Sequence, residues 1–293
     1  MSDLDQDEMF ENERKRLFGL AYRMLGSVAD AEDMVQDTWV RWSKVDGTAV
    51  DNPQAFLTTI ITRLSLDQLR SAKHKRETYV GAWLPEPLVA DQSTGPDEMI
   101  QKADDISFAL MLTLEKLSAP ERAAFLLHDV FDLGFDEIAK TLDRTEASCR
   151  KLASRARQKV RSEGDAALPM STNEPLVTSF LAALKTGELS EFVDFIAEDA
   201  VLVTDGGGVK SATLLPIYGR EKIMRFFFGL GEKFGRPNPS DIKLITINGT
   251  PGILIREDKN DVQAWSIAWT TDGQIKQLYI IRNPEKLGHV VFD

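Results

Sequence analysis

The stretch FDEIAKTLDRTEASCRKLASRARQKVR, from Phe135 to Arg161, constrains this chain more than any other. Ile138, Ala139 and Leu142 recur at the spacing of one helix face, and Asp143-Arg144-Thr145 interrupts the period. Thr145 then opens a second helix, where its hydroxyl can accept from a backbone N–H one turn on. Cys149, Leu152, Ala156 and Val160 form a packing stripe, while Arg150, Lys151, Arg155, Arg157, Lys159 and Arg161 crowd the rest of that helix. A helix, a tight turn and a basic second helix make the pattern of a helix-turn-helix whose second helix lies in the major groove of DNA. The alternative reading of the same spacing is a solvated basic helix closing a bundle. The choice has weight because the whole chain carries a net charge of −11. Affinity for duplex DNA comes largely from neutralising phosphates. A chain this acidic therefore touches DNA locally and with assistance, or binds it weakly alone.

With 293 residues, 43% of them hydrophobic, the chain can build two or three domains, each with its own core. One cysteine, Cys149, excludes an internal disulfide and fits a reducing compartment. The N-terminus MSDLDQDEMFENE is acidic where a secretory signal would be basic and then apolar, and no apolar run approaches bilayer length. The expectation is a cytoplasmic protein with no membrane partner.

Residues 1–76 read as helical throughout. One helix runs from Phe10 to Leu25. A second, AEDMVQDTWVRWSK, starts at Ser27 or Asp30, with Ala31, Val35, Thr38, Trp39 and Trp42 inward and Asp33, Gln36 and Asp37 outward. Both tryptophans are expected in the core. A third begins at Asn52-Pro53, with Asn as cap and Pro in the first turn, where its missing N–H costs nothing. Residues 77–105 are linker, broken by Gly81, Pro85, Pro87, Gly95 and Pro96, yet they contain the apolar knot Trp83-Leu84-Pro85-Glu86-Pro87. Residues 106–163 form a second helical domain around the helix-turn-helix, and 164–173 are a second linker. Residues 174–293 change period: helices at about Glu174–Thr186 and Ser190–Ile196, a strand AVLVTD, a Gly-rich turn, and a helix from Gly219 to about Phe234. The strands IKLITING, GILIRED, VQAWSIAWTTDG and QIKQLYIIRN follow, separated by turns such as Asn248-Gly249 and Asp272-Gly273. That order predicts an α+β domain with a sheet wrapped around a helix layer.

The stretches AYRMLGSVADAEDMVQDTWVRW and NPQAFLTTIITRLSLDQLR, together with the helix-turn-helix, resemble the extracytoplasmic-function (ECF) sigma factors, the promoter-recognition subunits of bacterial RNA polymerase. The third domain resembles the SnoaL-like/NTF2-like fold, which is cone-shaped. WLPEP at 83–87, DGGG at 205–208 and NPEKL at 283–287 are similar to motifs of the ECF group that carries such a domain fused at the C-terminus. Two departures stand out: Val209 precedes Lys210 where a basic residue usually follows the glycines directly, and Glu285 stands where Asp is commoner.

The resemblance implies a fold of two all-α sigma domains, region 2 and region 4, followed by the α+β domain. It implies core RNA polymerase as partner, through the largest-subunit coiled coil and the flap, and promoter DNA within the holoenzyme. Asp33, Gln36 and Asp37 would dock on the coiled coil, an acidic face for a basic helical partner. Asn52, Thr59, Thr62, Arg63, Leu66, Arg70 and Lys73 would face the −10 element, where guanidinium groups hold phosphates and hydroxyls read the bases of a melted strand. The loop before that helix, Val45 to Asn52, would hold a flipped-out base. Arg144, Thr145, Ser148, Arg150, Lys151, Ser154 and Arg155 would read the −35 element as duplex.

The third domain would regulate in cis. Trp83, Leu84, Pro85, Glu86 and Pro87 of the linker, Asp205, Gly206, Gly207, Gly208 and Lys210 of the Gly-rich turn, and Asn283, Pro284, Lys286 and Leu287 near the C-terminus would form the regulatory contact. Asp205 before three glycines reads as a tight turn in which the carboxylate accepts from backbone N–H groups. The fold also admits a small apolar ligand, which no residue here identifies. No cofactor, metal or catalytic residue is expected. Two rivals predict otherwise. A stand-alone helix-turn-helix regulator would bind its operator without polymerase. An isomerase or cyclase fused to a DNA-binding module would depend on Asp199 or Asp205 near a pocket mouth.

Overall fold

A computed structural model of the chain describes residues 3–90, 107–162, 180–182, 185, 193–235, 237–257, 261–270 and 272–292. It contains two compact units. The first joins Met1–Glu77 to Met111–Gly164, and the second joins Thr78–Leu110 to Asp165–Asp293. The linker knot therefore belongs to the same unit as the C-terminal domain.

The first unit opens with α1 (Asp3–Leu25), α2 (Val28–Trp42) and α3 (Pro53–Glu77). Ser27 caps α2, its Oγ accepting from the Asp30 N–H at 3.2 Å, and Asn52 caps α3, accepting from Ala55 at 3.0 Å. The α2 stripe of Ala31, Met34, Val35, Thr38 and Trp42 is buried, as the apolar spacing requires. Trp42 is fully enclosed and its indole N–H donates to the Gln6 carbonyl at 3.2 Å. Trp39 is half-buried against Phe10, with ring centroids 5.0 Å apart.

Further along come α4 (Phe108–Glu115), α5 (Ala119–Phe125), a π-helical turn at Leu126–Val130, α6 (Phe135–Leu142) and α7 (Glu146–Ser162). Asp143 ends α6 in the left-handed region, at φ 52°, and the Thr145 hydroxyl accepts from the Ser148 N–H at 3.2 Å to start α7. Cys149, Leu152, Ala153 and Ala156 face inward, with Leu152 and Ala153 packed on Ala124 of α5. This is the predicted helix-turn-helix.

The second unit is a seven-stranded sheet in the order β1-β4-β5-β6-β7-β2-β3, crossed by one long helix. The strands are β1 (Val89–Ala90), β2 (Ile196–Asp205), β3 (Ile217–Tyr218), β4 (Ile242–Ile247), β5 (Thr250–Arg256), β6 (Val262–Trp269) and β7 (Ile275–Ile281). The helices are α8 (Arg220–Phe234) and the short α9 (Pro284–Leu287). Pairing is antiparallel except between β2 and β7. Asn248-Gly249 forms the two-residue turn between β4 and β5 with both φ values positive, as an Asn-Gly hairpin demands. Phe180, Leu202, Ile223, Ile253, Trp265 and Leu278 belong to one core.

Two expectations need correcting. Ile196 begins β2 rather than ending a helix, because it pairs with Ile275 ahead of a register shift. The linker also contributes a strand, β1, which the proline pattern hid. Most of the helix expected at Glu174–Thr186, the linker residues 91–105 with Gly95 and Pro96, and the second linker 164–173 lie outside the described residues.

Candidate nucleic-acid interface and linker clamp

On α2, Asp33, Gln36 and Asp37 are all exposed on the face opposite the buried stripe. Their position follows from the helical period alone: burying Ala31, Val35 and Trp42 turns the carboxylates outward.

On α3, Arg63 and Arg70 are exposed and Leu66 is half-buried. Arg70 pairs with Asp67 at 3.0 Å, an ion pair too exposed to hold the arginine firmly. Thr62 is a correction. It is fully buried and its hydroxyl donates to the Thr58 carbonyl at 2.7 Å, so it faces the bundle rather than a strand of nucleic acid. Thr59 is half-buried, and Asn52 is exposed but uses its side-chain oxygen as the cap. The side chain of Lys73 lies outside the described residues.

In the helix-turn-helix, Arg144, Thr145, Arg150, Lys151, Ser154 and Arg155 are exposed, with Ser148 half-buried between them. Arg150 is steadied from two sides. Its Nη2 donates to Glu146 at 2.9 Å, and its guanidinium lies 4.6 Å from the centroid of the Phe135 ring. At the far end of α7, Lys159 donates to the buried Glu121 at 2.8 Å. The backbone N–H and hydroxyl of Ser118 donate to the same carboxylate. Burial works against ionising Glu121, but these bonds outweigh it and hold the carboxyl at about 2.

The three short motifs converge in the second unit. The Asp205 side chain is completely buried and all of its acceptor directions are used. Oδ1 takes the Tyr79 hydroxyl at 2.6 Å and the Gly207 N–H at 3.0 Å. Oδ2 takes the Leu84 N–H at 2.9 Å and the Lys286 ammonium at 2.7 Å. Lys286 also donates to the Leu84 carbonyl and sits 4.1 Å from the Trp83 ring centroid and 4.8 Å from that of Tyr79. Asn283 caps α9 by accepting from Glu285 at 3.0 Å and donates to the Tyr79 hydroxyl at 2.9 Å. Burial, then the bond to and charge of Asp205, push the Tyr79 hydroxyl well above the ordinary tyrosine range.

A buried ion pair survives only when its remaining bonding capacity is filled, and here the linker backbone fills it. Gly207 makes the geometry possible: φ is 64°, and a Cβ would lie 2.4 Å from the Asn283 amide. Downstream, the His289 ring meets the Pro87 carbonyl at 3.0 Å, and Leu88 exchanges backbone and side-chain bonds with Asn248. Leu84, Pro85 and Pro87 are buried and Glu86 half-buried; Leu287 is buried while Pro284 stays exposed. The Gly206 carbonyl accepts from the Val209 and Lys210 N–H groups to close the turn, and Gly208 follows at φ 74°.

Lys210 stands apart. Its ammonium pairs with Asp261 and does not join the clamp. Of the two aspartates expected near a pocket mouth, Asp205 is instead sealed and saturated, while Asp199 is exposed and paired with Lys276. Among the described residues no group of His, Cys, Asp and Glu could hold a metal ion, and no helix is long and apolar enough to cross a membrane.

Comparison with known proteins accounts for the helices first. Residues 9–75 match the family described as Sigma-70 region 2, and residues 107–160 match Sigma-70, region 4. The chain is 39% identical over 289 residues to the ECF RNA polymerase sigma factor SigJ of Mycobacterium tuberculosis, covering 94% of this chain and 91% of that protein. The chain belongs to the ECF RNA polymerase sigma factor family. Sigma factors of this family regulate transcription and are not enzymes. The crystal structure of the M. tuberculosis ECF sigma factor SigJ superposes with a TM-score of 0.78 at 34% identity, covering 96% of this chain and 98% of that one. That likeness extends through the C-terminal domain. A probable ECF sigma factor, SigI of M. tuberculosis, is 32% identical over 186 residues, or 62% of this sigma factor and 64% of its relative.

Reading the sequence missed Tyr79, His289 and Asn248, each of which fastens the linker to the domain. Tyr79 stands four residues before the WLPEP motif with no motif of its own. The available signal was a phenol, which when buried needs a polar partner, next to an apolar knot.

Proposed function

We propose that this sigma factor docks on core RNA polymerase through Asp33, Gln36 and Asp37 of α2, meets the −10 element with α3, and reads the −35 element with α7. In this reading the C-terminal domain is a regulator without catalytic activity, acting through the linker between the two sigma regions. The observation that carries the DNA assignment is the exposed face of Arg144, Arg150, Lys151, Ser154 and Arg155 on a helix capped by Thr145. The face mixes potential base contacts near the helix start with phosphate contacts further along. The acidic chain is consistent with it, because a subunit of a holoenzyme need not supply all the positive charge itself.

The regulatory part rests on the clamp. Bonds from Asp205 and Lys286 to Leu84 fasten the first part of the connection between the sigma regions, around the WLPEP motif, to a folded domain. The reading keeps the domain boundaries at 1–76, 106–163 and 174–293, and assigns the work to a cytoplasmic polymerase. The decisive experiment is transcription in vitro with core polymerase, comparing the full chain with one ending at Leu168. A changed promoter output supports regulation in cis, and identical output removes it. In the same assay Asp37→Ala should weaken core binding; unchanged affinity would count against the α2 face.

A further inference from the structure

We infer that His128 is a positioning residue for the −35 contact of Arg150, acting through the ring of Phe135. This rests on the reading of α7 just given and adds to it a residue that works from behind the DNA-facing surface. The side chain of Arg150 is 59% exposed, and its bond to Glu146 is a surface pair one helical turn apart. Pairs of that kind contribute little and do not hold a long side chain in one rotamer. What remains is the Phe135 ring, 4.6 Å from the guanidinium. Phe135 is the first residue of α6 and is only half-buried, packed in part toward Ala124, Leu152 and Ala153. A ring so placed serves as a platform only if something fixes its orientation. His128 supplies that support: the two ring centroids lie 4.1 Å apart, with the planes tilted by 37°.

His128 is itself held. It sits in the π-helical turn Leu126–Val130, where the Phe131 N–H reaches back five residues to the Leu126 carbonyl at 3.0 Å. Asp132 then turns the chain at φ 55°, and the Leu133 carbonyl comes within 2.9 Å of the His128 Nδ1. A carbonyl only accepts, so Nδ1 carries the hydrogen and the imidazole plane is set. Support therefore passes from Leu133 to His128, to Phe135, to Arg150. Nη2 of Arg150 is used by Glu146, while Nε and Nη1 have no hydrogen-bond partner among the described residues. The guanidinium is thus steadied by one edge and one face, with donors left over for a guanine edge. An arginine that must be ordered on binding loses rotamer freedom, and one ordered beforehand loses less.

The test uses the full chain in holoenzyme and compares its binding to promoters with matched and altered −35 elements. His128→Ala should lower the ratio of the two affinities by about two- to fivefold, the range of an exposed cation–π contact. In an Arg150→Ala background the same change should have no further effect, because the residue it acts through is gone. His128→Phe keeps a ring against Phe135 and should recover most of the loss. In the free chain, NMR with isotope-labelled arginine should find the Arg150 Nε–H displaced upfield by the ring and moved back in His128→Ala. Three results would overturn the inference: an equal loss with and without Arg150, no recovery in His128→Phe, or an Arg150 resonance that His128→Ala leaves in place. The reading of α7 is judged separately. If Arg150→Ala alone leaves the ratio unchanged, that reading falls. If Arg150→Ala lowers the ratio and His128→Ala does not, the reading stands and His128 has no part in it.

Discussion

The backbone N–H of Leu84 donates to Oδ2 of Asp205 at 2.9 Å, joining positions 121 residues apart. The same oxygen receives Lys286, whose ammonium also reaches the Leu84 carbonyl, so both backbone groups of one linker residue are bound by one ion pair. Such a pair is costly to bury and more costly to break, because removing one partner strands the other charge.

Asp205→Ala should therefore destabilise the second unit by about 3–5 kcal/mol, whereas Asp205→Asn combined with Lys286→Met should cost less than either single change. Denaturant unfolding of the full chain, with amide exchange read at Leu84, checks this. Exchange at Leu84 that is equally slow in Asp205→Ala would show that the strap is held by something else.

Gly207→Ala should loosen the same region, since alanine resists a φ of 64° and its Cβ would collide with Asn283. Gly231→Ala is the matched control. Gly231 lies inside α8 with nothing within 4 Å of a new Cβ, so that change should stabilise by about 0.5–1 kcal/mol. Opposite shifts of the melting temperature in the two variants are the expected outcome.

The carboxyl of Glu121 is held at about 2, below its ordinary 4.5. A folded-state value lower than the unfolded one means the unfolded chain binds more protons as the pH falls. The contribution of Glu121 is thus complete above about 4.5 and is lost on acidification towards 2. Wild type should exceed Glu121→Gln in stability to urea at pH 7, and the gap should narrow by pH 3. A gap independent of pH would mean that the carboxylate charge is not what ties Ser118 to Lys159.

Arg150→Ala should reduce discrimination of the −35 sequence, by about 1–3 kcal/mol if it reads a base edge. Binding measured on matched and altered −35 duplexes within the holoenzyme separates the cases. Equal losses on both would make it a phosphate contact. Phe135→Leu should give part of the same effect by removing the ring beneath the guanidinium.

The parts of this architecture that follow from local rules could be read directly. The α2 stripe, the Asn52-Pro53 start of α3, the Thr145 cap and the Asn248-Gly249 turn each depend on a few neighbouring residues. Thr62 was misplaced because a threonine suits either face of a helix, and burial was decided by packing in the bundle. Lys210 was placed by its nearness to the glycines, but its partner Asp261 lies 51 positions away. Asp205 reads as a turn-former and does accept from Gly207, yet the other three of its four bonds come from Tyr79, Leu84 and Lys286. Long-range pairings of that kind leave no periodic trace.

The pairing of Val89 and Ala90 with Ile247 and Thr246 reaches beyond regulation. Here β1 is the outermost strand on its side of the sheet, and β4 lies directly beneath it. If the strap peels away, the N–H and C=O groups of β4 are bared as a template for any extended peptide, a second copy of the chain included. Conditions or variants that unfasten the linker should therefore reveal themselves as concentration-dependent clumping before any loss of helix content is visible.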